Sequence, residues 1–435
     1  MTAPGLSTTV RTPWGNALTL RERKLRPGRR LPPEEVARNQ RERLFAAMVA
    51  VVAEKGYEAT RVADLLQLSG VSRSAFYEHF RDKEECLLGA LGDFVAPAIG
   101  SVVDAAGSKP PSEERVRDAF ERFVRMIVEQ APAARLCFVE IYAAGPRAVE
   151  QIDRTADAFQ AFVAEAVERI PGREEMPPEL VAAVVGGLRK VIHTRLFRGE
   201  EQQLLDLIPQ MWDWALSYPA PPEPLRRPRG RSPESPSRAY DPAERILQAL
   251  AAVVAEKGYP AMTVGDIAAR ASISLSTFYA NFADKEDAML AAIDSGSSRM
   301  LATTLPAFRR AADWPHAVHA ALAAMLAFCA AEPAYTRLGA VDVYAAGGRA
   351  LEQREQVMKG MELLLAPGYE RRLEVSPIAA EAIGGAIYAT IYERVKRGEV
   401  ENLQEVGPLA TYVALTPFLG AEQACAIANG DARGR

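Results

Sequence analysis

The fold of this chain is decided by the stretch Val71-Ser72-Arg73-Ser74-Ala75-Phe76-Tyr77-Glu78-His79-Phe80-Arg81-Asp82-Lys83-Glu84. A second version, Ile273-Ser274-Leu275-Ser276-Thr277-Phe278-Tyr279-Ala280-Asn281-Phe282-Ala283-Asp284-Lys285-Glu286, follows 202 residues later. At the same offset the heptapeptide at 51–57 recurs letter for letter at 253–259. Because the matched blocks keep one spacing, the chain contains one module twice. The period is far longer than the roughly 20–50 residues of a solenoid repeat, so tandem domains are predicted.

Each stretch follows a short helix and a tight turn. In the first copy the pattern predicts a helix from Val62 to Leu68, a turn at Ser69-Gly70 and a second helix from Ser72 to Phe80. Ser72 is a favourable N-cap residue. The second copy has the turn at Ala271-Ser272 and Ser274 as the cap. Two short helices joined by a turn of three or four residues form a helix-turn-helix.

The second helix has an aromatic side, which we expect to be buried, and a small, polar outer side. Small side chains let a helix enter the major groove, where Ser, Thr and Arg reach base edges. Leu275, at the position of Arg73, cannot hydrogen-bond a base. Tyr and Lys beside this face suit phosphate oxygens, although the tyrosines are also candidates for packing and Arg73 for simple solvation. The predicted DNA contacts are Ser72, Arg73, Ser74, Tyr77, His79 and Lys83, and Ser274, Ser276, Thr277, Tyr279, Asn281 and Lys285.

These stretches, with Gly56-Tyr57 and Gly258-Tyr259 before them, resemble the DNA-binding signature of the TetR family of bacterial repressors. The resemblance implies a three-helix DNA-binding head and a larger helical body that holds an inducer pocket and a dimer interface. It also implies that Thr263 caps the second helix and contacts a phosphate. Arg61 stands at the matching position and is a DNA-contact candidate that loses the cap, with Thr60 as a possible replacement. Ser272 replaces Gly70 in the turn, which Ser tolerates less easily.

We therefore predict an all-α protein of two tandem modules, each a three-helix helix-turn-helix head plus a larger helical body for ligand binding and dimerisation. The basic N-terminal segment, with ten Arg or Lys against four acidic residues in 1–43, is expected to be a disordered arm that contacts phosphates. The predicted ranges are 1–37 for the arm, 38–92 and 93–217 for head and body one, 218–241 for a Pro/Arg-rich extended linker, 242–294 and 295–420 for head and body two, and 421–435 for a tail.

Two sequence features point to the bodies. An acid, Glu140 or Asp342, interrupts an otherwise apolar helix near Tyr142 or Tyr344. A buried acid must be paired. The simpler interpretation is an ion pair with Arg135 or Arg337, and the alternative is a ligand pocket that includes these acids and tyrosines. The glycine pairs 186–187 and 384–385 allow helices to approach closely, either across the two copies or within one module.

Composition excludes several classes of protein. No apolar run reaches the roughly 18 residues that span a bilayer. Four scattered cysteines indicate neither a zinc site nor a disulfide framework and favour the cytoplasm. His316 and His319 lack a third metal ligand. No nucleophile triad or phosphate loop is present, so an enzyme, a cofactor and a metal are not expected.

We expect a cytoplasmic, sequence-specific transcriptional regulator, a ligand-responsive repressor whose partners are a double-stranded DNA operator and a small-molecule inducer. It would act as an intrachain pseudo-dimer or as a dimer of chains, with recognition helices about 34 Å apart in successive major grooves. Intrachain pairing predicts an asymmetric operator, and a dimer of chains a palindromic one. The alternative function is a ligand-sensing or interaction protein with one inactive head, for which Ser272 and Leu275 make the second copy the candidate.

Overall fold

The computed structural model describes residues 10–25, 31–106, 112–170, 172–173, 175–227 and 242–430. Across these residues the chain is helical, as predicted, apart from an antiparallel ribbon of β1 (Arg11–Thr12) and β2 (Gly15–Asn16). It divides into two compact units, Met1–Pro171 with Ile192–Ile208, and Gly172–Val191 with Pro209–Arg435. The all-α prediction is confirmed.

The helices follow the predicted duplication. The first copy contains α1 (Pro33–Ala59), α2 (Val62–Ser69), α3 (Arg73–His79), α4 (Lys83–Ala106), α5 (Glu113–Glu129), α6 (Ala131–Phe138), α7 (Pro146–Glu168), α8 (Pro178–Arg198) and α9 (Gln203–Leu216). The second contains α10 (Pro242–Lys257), α11 (Val264–Ala271), α12 (Leu275–Asn281), α13 (Lys285–Arg310), α14 (Trp314–Ala331), α15 (Pro333–Ala340), α16 (Gly348–Glu362), α17 (Ala366–Arg371), α18 (Ala379–Lys396), α19 (Gly407–Leu419) and α20 (Ala421–Ala428). Short 3₁₀ segments lie at Ala17–Thr19, Glu140–Ala144, Asp342–Ala346, Leu363–Leu365 and Val400–Val406.

Each head is built around the aromatic side of its third helix. Phe76 and Phe278 are fully buried, and in the first head the ring of Phe80 lies 5.7 Å from that of Phe45 in α1. Gly56 and Gly258 both have φ of 77°, a conformation that interrupts or ends the first helix at the predicted place. The helix-turn-helix therefore rests on a long first helix through apolar contacts.

The N-terminal segment differs from the prediction. Residues 10–25 are not a disordered arm, because the ribbon and the 3₁₀ turn pack against α1. Ala17 and Leu20 are fully buried in one cluster with three alanines of α1, and the Trp14 ring lies 5.3 Å from Phe45. Residues 1–9 and 26–30 lie outside the described residues. Apolar side chains within the basic segment outweigh its charge in deciding its structure.

The predicted linker and tail also need correction. Tyr218 is fully buried and donates a hydrogen bond to the Val413 carbonyl at 3.0 Å, while the Tyr412 hydroxyl donates to the Pro219 carbonyl at 2.8 Å. The start of the linker is thus packed on α19 rather than extended and free. Residues 228–241 lie outside the described residues, and the tail begins with helix α20.

Within the second compact unit, the C-terminal helices of the first copy contact those of the second. A Cβ added to Gly187 in α8 would lie 2.5 Å from the Ala382 carbonyl oxygen of α18. One added to Gly385 would lie 2.2 Å from Cβ of Lys190. The predicted close approach at the paired glycines is therefore made across the two copies.

Helix α14 is long and apolar enough to cross a membrane. The search of the sequence for an uninterrupted apolar run did not identify it. Most of its residues, among them Leu322, Met325 and Leu326, are buried in the second body. His319 bonds through Nδ1 to the Thr411 hydroxyl at 3.0 Å. Its packing against α13 and α19 is that of a core helix.

Candidate nucleic-acid interface

Serine caps begin both recognition helices, α3 and α12. The Ser72 hydroxyl accepts a hydrogen bond from the Ala75 amide at 3.2 Å, and the Ser274 hydroxyl accepts one from the Thr277 amide at 3.1 Å. The same hydroxyls contact Ser74 and Ser276. The caps set where each helix starts and leave the following side chains on the outer face.

The outer faces differ between the copies. Arg73 and Leu275 occupy the same position, and both are exposed. Tyr77 and Tyr279 are 52% and 57% exposed, and each ring also packs edge-on against the buried Phe before it. The tyrosines therefore pack in part and remain about half exposed, which is compatible with both interpretations.

Two other predicted contacts are engaged within the heads. His79 Nε2 lies 2.8 Å from the Gln40 side-chain oxygen of α1, and burial followed by Arg41 lowers the pKa of His79. Asn281 donates to the Thr277 carbonyl of its own helix at 2.8 Å. A contact between either side chain and DNA would require it to share or exchange these bonds.

The lysines that follow the recognition helices point into the heads. Lys83 Nζ donates to the carbonyls of Tyr57 and Thr60 at 2.9 and 3.0 Å and lies 4.3 Å from the centre of the Tyr57 ring. Lys285 makes the same contacts with Tyr259 and Met262, at 3.4 and 3.3 Å. This geometry favours a role in joining α1 to α4, or α10 to α13, over the predicted phosphate contact.

The N-termini of α2 and α11 are capped differently, as expected from Arg61 in the first copy and Thr263 in the second. The Thr263 hydroxyl accepts from the Asp266 amide at 3.2 Å, and the Asp266 carboxylate accepts from the Thr263 amide at 3.0 Å. At Arg61 only the second of these two hydrogen bonds is present, in which the Arg61 amide donates to the Asp64 carboxylate at 2.7 Å. Thr60 is not a replacement cap, because its hydroxyl donates to the Gly56 carbonyl. Arg61 and Thr263 are both exposed.

The turn before each recognition helix requires a left-handed residue. Gly70 has φ 68° and Ser272 has φ 54°, and Ser272 is the one non-glycine residue with positive φ in the described ranges. Left-handed conformations cost an L-residue about 1–2 kcal/mol. The turn of the second head therefore has the same left-handed conformation as that of the first, but Ser272 makes it less stable.

In the structure, the basic segment at residues 10–25, predicted to be disordered, is part of the first head. Arg21 Nε donates to the Gln67 carbonyl of α2 at 2.9 Å, and the Arg21 backbone lies against Gly70. Trp14 Nε1 donates to the Asp93 carboxylate at 2.6 Å. The apolar Trp14 and Leu20, spaced within an otherwise basic stretch, were the signal that could have revealed this packing.

The predicted pocket acids have structural partners. Asp342 is 7% exposed and pairs with Arg337 at 3.4 Å, as the simpler interpretation expected. Glu140 instead accepts a hydrogen bond from the Tyr57 amide at 3.0 Å, while Arg135 donates to the Leu196 carbonyl. Pairing of Glu140 with Arg135 was therefore wrong, and Glu140 ties the first body to the end of α1.

A cavity of about 210 Å³ lies in the second body, between α13, α14, α15, α16 and α18. Its lining is mainly aliphatic and thioether side chains, including Ile293, Met325, Met361 and Ile387, with Arg354 among the few polar ones. Asp342 and Tyr344 are absent from the lining among the described residues, and Tyr142 is buried in the first body's 3₁₀ segment. The four predicted pocket residues thus do not form this site.

Comparisons with known proteins agree with this architecture. The domain described as "Bacterial regulatory proteins, tetR family" matches residues 44–90 and 246–292, which are the two heads. The HTH-type transcriptional activator FasR of Mycolicibacterium smegmatis is 30% identical over 127 residues, covering 29% of this chain and 56% of that protein. The uncharacterized HTH-type transcriptional regulator YerO of Bacillus subtilis is 32% identical over 91 residues, covering 19% and 31%. The chain thus spans about half or less of the length of these relatives.

Solved structures give a weaker likeness. The fatty acid degradation regulator FadR of Bacillus halodurans is 18% identical with a TM-score of 0.38, over 42% of this chain and 97% of that one. FadR of Bacillus subtilis, in complex with stearoyl-CoA, is 18% identical with a TM-score of 0.37, over 41% and 98%. With both heads matched by one domain and built alike, the chain carries the DNA-binding domain of the tetR family of bacterial regulatory proteins twice.

Proposed function

We propose that this chain is a ligand-responsive, sequence-specific DNA-binding transcriptional regulator, not an enzyme, that reads DNA with α3 and α12. The observation that carries the proposal is the pair of capped recognition helices, each with its aromatic side buried and its small, polar side exposed. Such a face fits the major groove. FasR is named an activator, so the proposal covers a regulator of either sign.

The two heads are proposed to read different half-sites. Arg73 is a bidentate donor that suits guanine, whereas Leu275 at the same place offers an apolar contact with a thymine methyl. Cross-copy contacts of α8 with α18 support pairing of the two modules within one chain. An intrachain pseudo-dimer would then bind one asymmetric operator.

Selection of binding sites from random duplex DNA, followed by the mass of the complex in solution, tests this. One chain on an asymmetric site is the expected result. Two chains on a palindromic site would refute the proposal that the two heads of one chain bind one operator.

Arg73→Ala should weaken DNA binding about tenfold or more and relax the preference at one base position only, since a bidentate base contact contributes about 1–3 kcal/mol of discrimination. Leu275→Ala is the matched change in the other head and should relax a different position.

The alternative, an idle second head, makes a separate prediction. If α12 does not touch DNA, Leu275→Ala and Thr277→Ala will leave affinity and the selected sequence unchanged. A loss of affinity from either change, with Arg73→Ala still affecting its own position, would exclude the alternative.

The cavity of the second body is the proposed inducer site. It is lined mainly by residues of five helices, and its volume of about 210 Å³ is more than ten times what one water molecule requires. A ligand releases or engages DNA only through different affinities for two states of the protein. The apolar lining supports a mainly hydrocarbon ligand.

A further inference from the structure

We propose that Arg354 is the polar anchor of the second body's cavity, which selects an amphipathic ligand with an apolar body and one anionic or strong acceptor group. The proposal rests on the inducer role of this cavity and adds the chemical class of its ligand. It follows from the contacts of Arg354, the charge around it and the residue at the same place in the first copy.

Arg354 is held rigidly at the wall of the cavity. It is 7% exposed, and its guanidinium lies 4.8 and 4.7 Å from the ring centres of Tyr344 and Tyr388. One terminal nitrogen donates to the Tyr388 hydroxyl at 3.1 Å, and the other to the Glu355 carboxylate at 2.9 Å. A guanidinium fixed on both sides in this way is preorganised to donate in a set direction.

One donor of this group is unused. Among the described residues, the buried Nε–H of Arg354 has no hydrogen-bond partner. An unsatisfied buried donor is destabilising, and more so when it belongs to a charged group. Because Arg354 lines the cavity, an acceptor on a bound ligand is the natural partner for this N–H.

The charge balance at this end of the cavity favours an anion. Glu355 lies between two cations, Arg354 and Lys190, so one positive charge is left over. Burial acts to raise the pKa of Glu355, but Lys190 and Arg354 outweigh it and lower the pKa to about 2. The other acid in the lining, Glu362, has its pKa raised by burial and then by Glu381, which reduces its charge.

The first copy lacks this arrangement. At the 202-residue offset of the duplication, Ile152 replaces Arg354, and Phe123 and Phe159 replace Met325 and Met361 of the cavity lining. The two phenylalanine rings stack with centroids 5.4 Å apart. The first copy therefore suggests which substitutions would remove the anchor, Arg354→Ile, and which would fill the cavity, Met325→Phe and Met361→Phe.

The test uses the full-length chain and two probes with the same ten-carbon tail, decanoate and decyltrimethylammonium, below their micellar concentrations. Calorimetric titration measures binding to the wild type, Arg354→Lys, Arg354→Ile and the cavity-filling double variant Met325→Phe/Met361→Phe. Circular dichroism verifies that each variant keeps its helices.

Wild type should bind decanoate at least tenfold more tightly than the cation. Arg354→Lys keeps a charge beside Glu355 but lacks Nε–H and should lose about tenfold of decanoate affinity, as a charged hydrogen bond of about 1.5–3 kcal/mol implies. Arg354→Ile should abolish the preference for the anion. The double variant should bind neither probe.

Equal binding of the two probes, or no change in Arg354→Lys, would overturn the anchor and leave the cavity as a ligand site. Failure of the wild type to bind either probe would overturn both the anchor and the inducer role of the cavity. Selection of DNA sites does not depend on either outcome, so the DNA-binding part of the proposed function is judged separately.

Discussion

At the scale of single residues, Glu140 and Asp342 show that matching positions in the two copies have different tasks. Glu140 accepts the Tyr57 amide at the end of α1, whereas Asp342 pairs with Arg337 and is nearly inaccessible to solvent. Burial raises the pKa of Asp342 to about 6, and Arg337 only partly offsets it. The ionised form is therefore disfavoured in the folded protein.

This shift predicts a pH-dependent stability. Because the folded pKa of Asp342 exceeds the unfolded one, its contribution is fully present below about pH 4 and is lost as the pH rises through about 6. Asp342→Asn stays neutral, so it should be more stable than the wild type at pH 7, by at most about 3 kcal/mol. The difference should vanish near pH 4. Thermal unfolding midpoints from pH 4 to 8 measure this, and parallel curves for the two proteins would contradict it.

At the scale of elements, the heads depend on one lysine that joins the first and fourth helices. Lys83 begins α4 and donates to the carbonyls of Tyr57 and Thr60 at the end of α1. Lys285 repeats the contact with longer distances of 3.3 and 3.4 Å. In the chain, α3 lies between α1 and α4, and α12 lies between α10 and α13. The lysine contact therefore helps to fix the position of each recognition helix.

Lys83→Met should destabilise the first head by about 1–3 kcal/mol, because buried carbonyls lose a charged donor. The salt dependence of DNA binding should keep its slope, since the lysine does not reach a phosphate in this geometry. Hydrogen exchange of α2 amides and affinities at several salt concentrations measure the two effects. Lys285→Met is the matched control and should destabilise its head less. A slope reduced by about 0.9 would instead assign Lys83 to a phosphate.

At the scale of the whole molecule, the second compact unit contains helices from both copies. Tyr218 donates to Val413, Lys190 pairs with Glu355, and α8 and α18 meet at glycines 187 and 385. Helices that approach this closely leave no room for a side chain. The two copies are therefore joined by packing as well as by the peptide chain.

Gly385→Ala should destabilise this unit by about 1–3 kcal/mol, because the new methyl group overlaps Cβ of Lys190 and the helices must separate. Gly384→Ala is the control next to it. Its nearest neighbour would be 3.7 Å away, and the higher helix propensity of Ala should leave it neutral or stabilised by up to about 1 kcal/mol. Urea unfolding compares the two variants. Equal midpoints would show that α8 and α18 are not in this contact.

The features that sequence alone determined are local ones. The duplication, the helical content, the serine caps at Ser72 and Ser274, and the glycines that interrupt or end the first helices all follow from spacing and backbone preference. The left-handed Ser272 was visible as well, since it replaces a glycine in an otherwise matched turn. Such signals lie within a few residues of the structure they specify, so they survive without knowledge of the rest of the fold.

Only the tertiary structure decided the features that join distant parts of the chain. The packing of Trp14 on Phe45, the burial of Tyr218 and the choice of Tyr57 as the partner of Glu140 connect residues from about thirty to nearly two hundred positions apart. Basic composition predicted disorder around Trp14, and proline-rich composition predicted an extended linker at Tyr218, because composition does not reveal which apolar surface is available to cover a side chain. The same holds for Arg354, whose proposed role depends on a cavity lined by several separate helices.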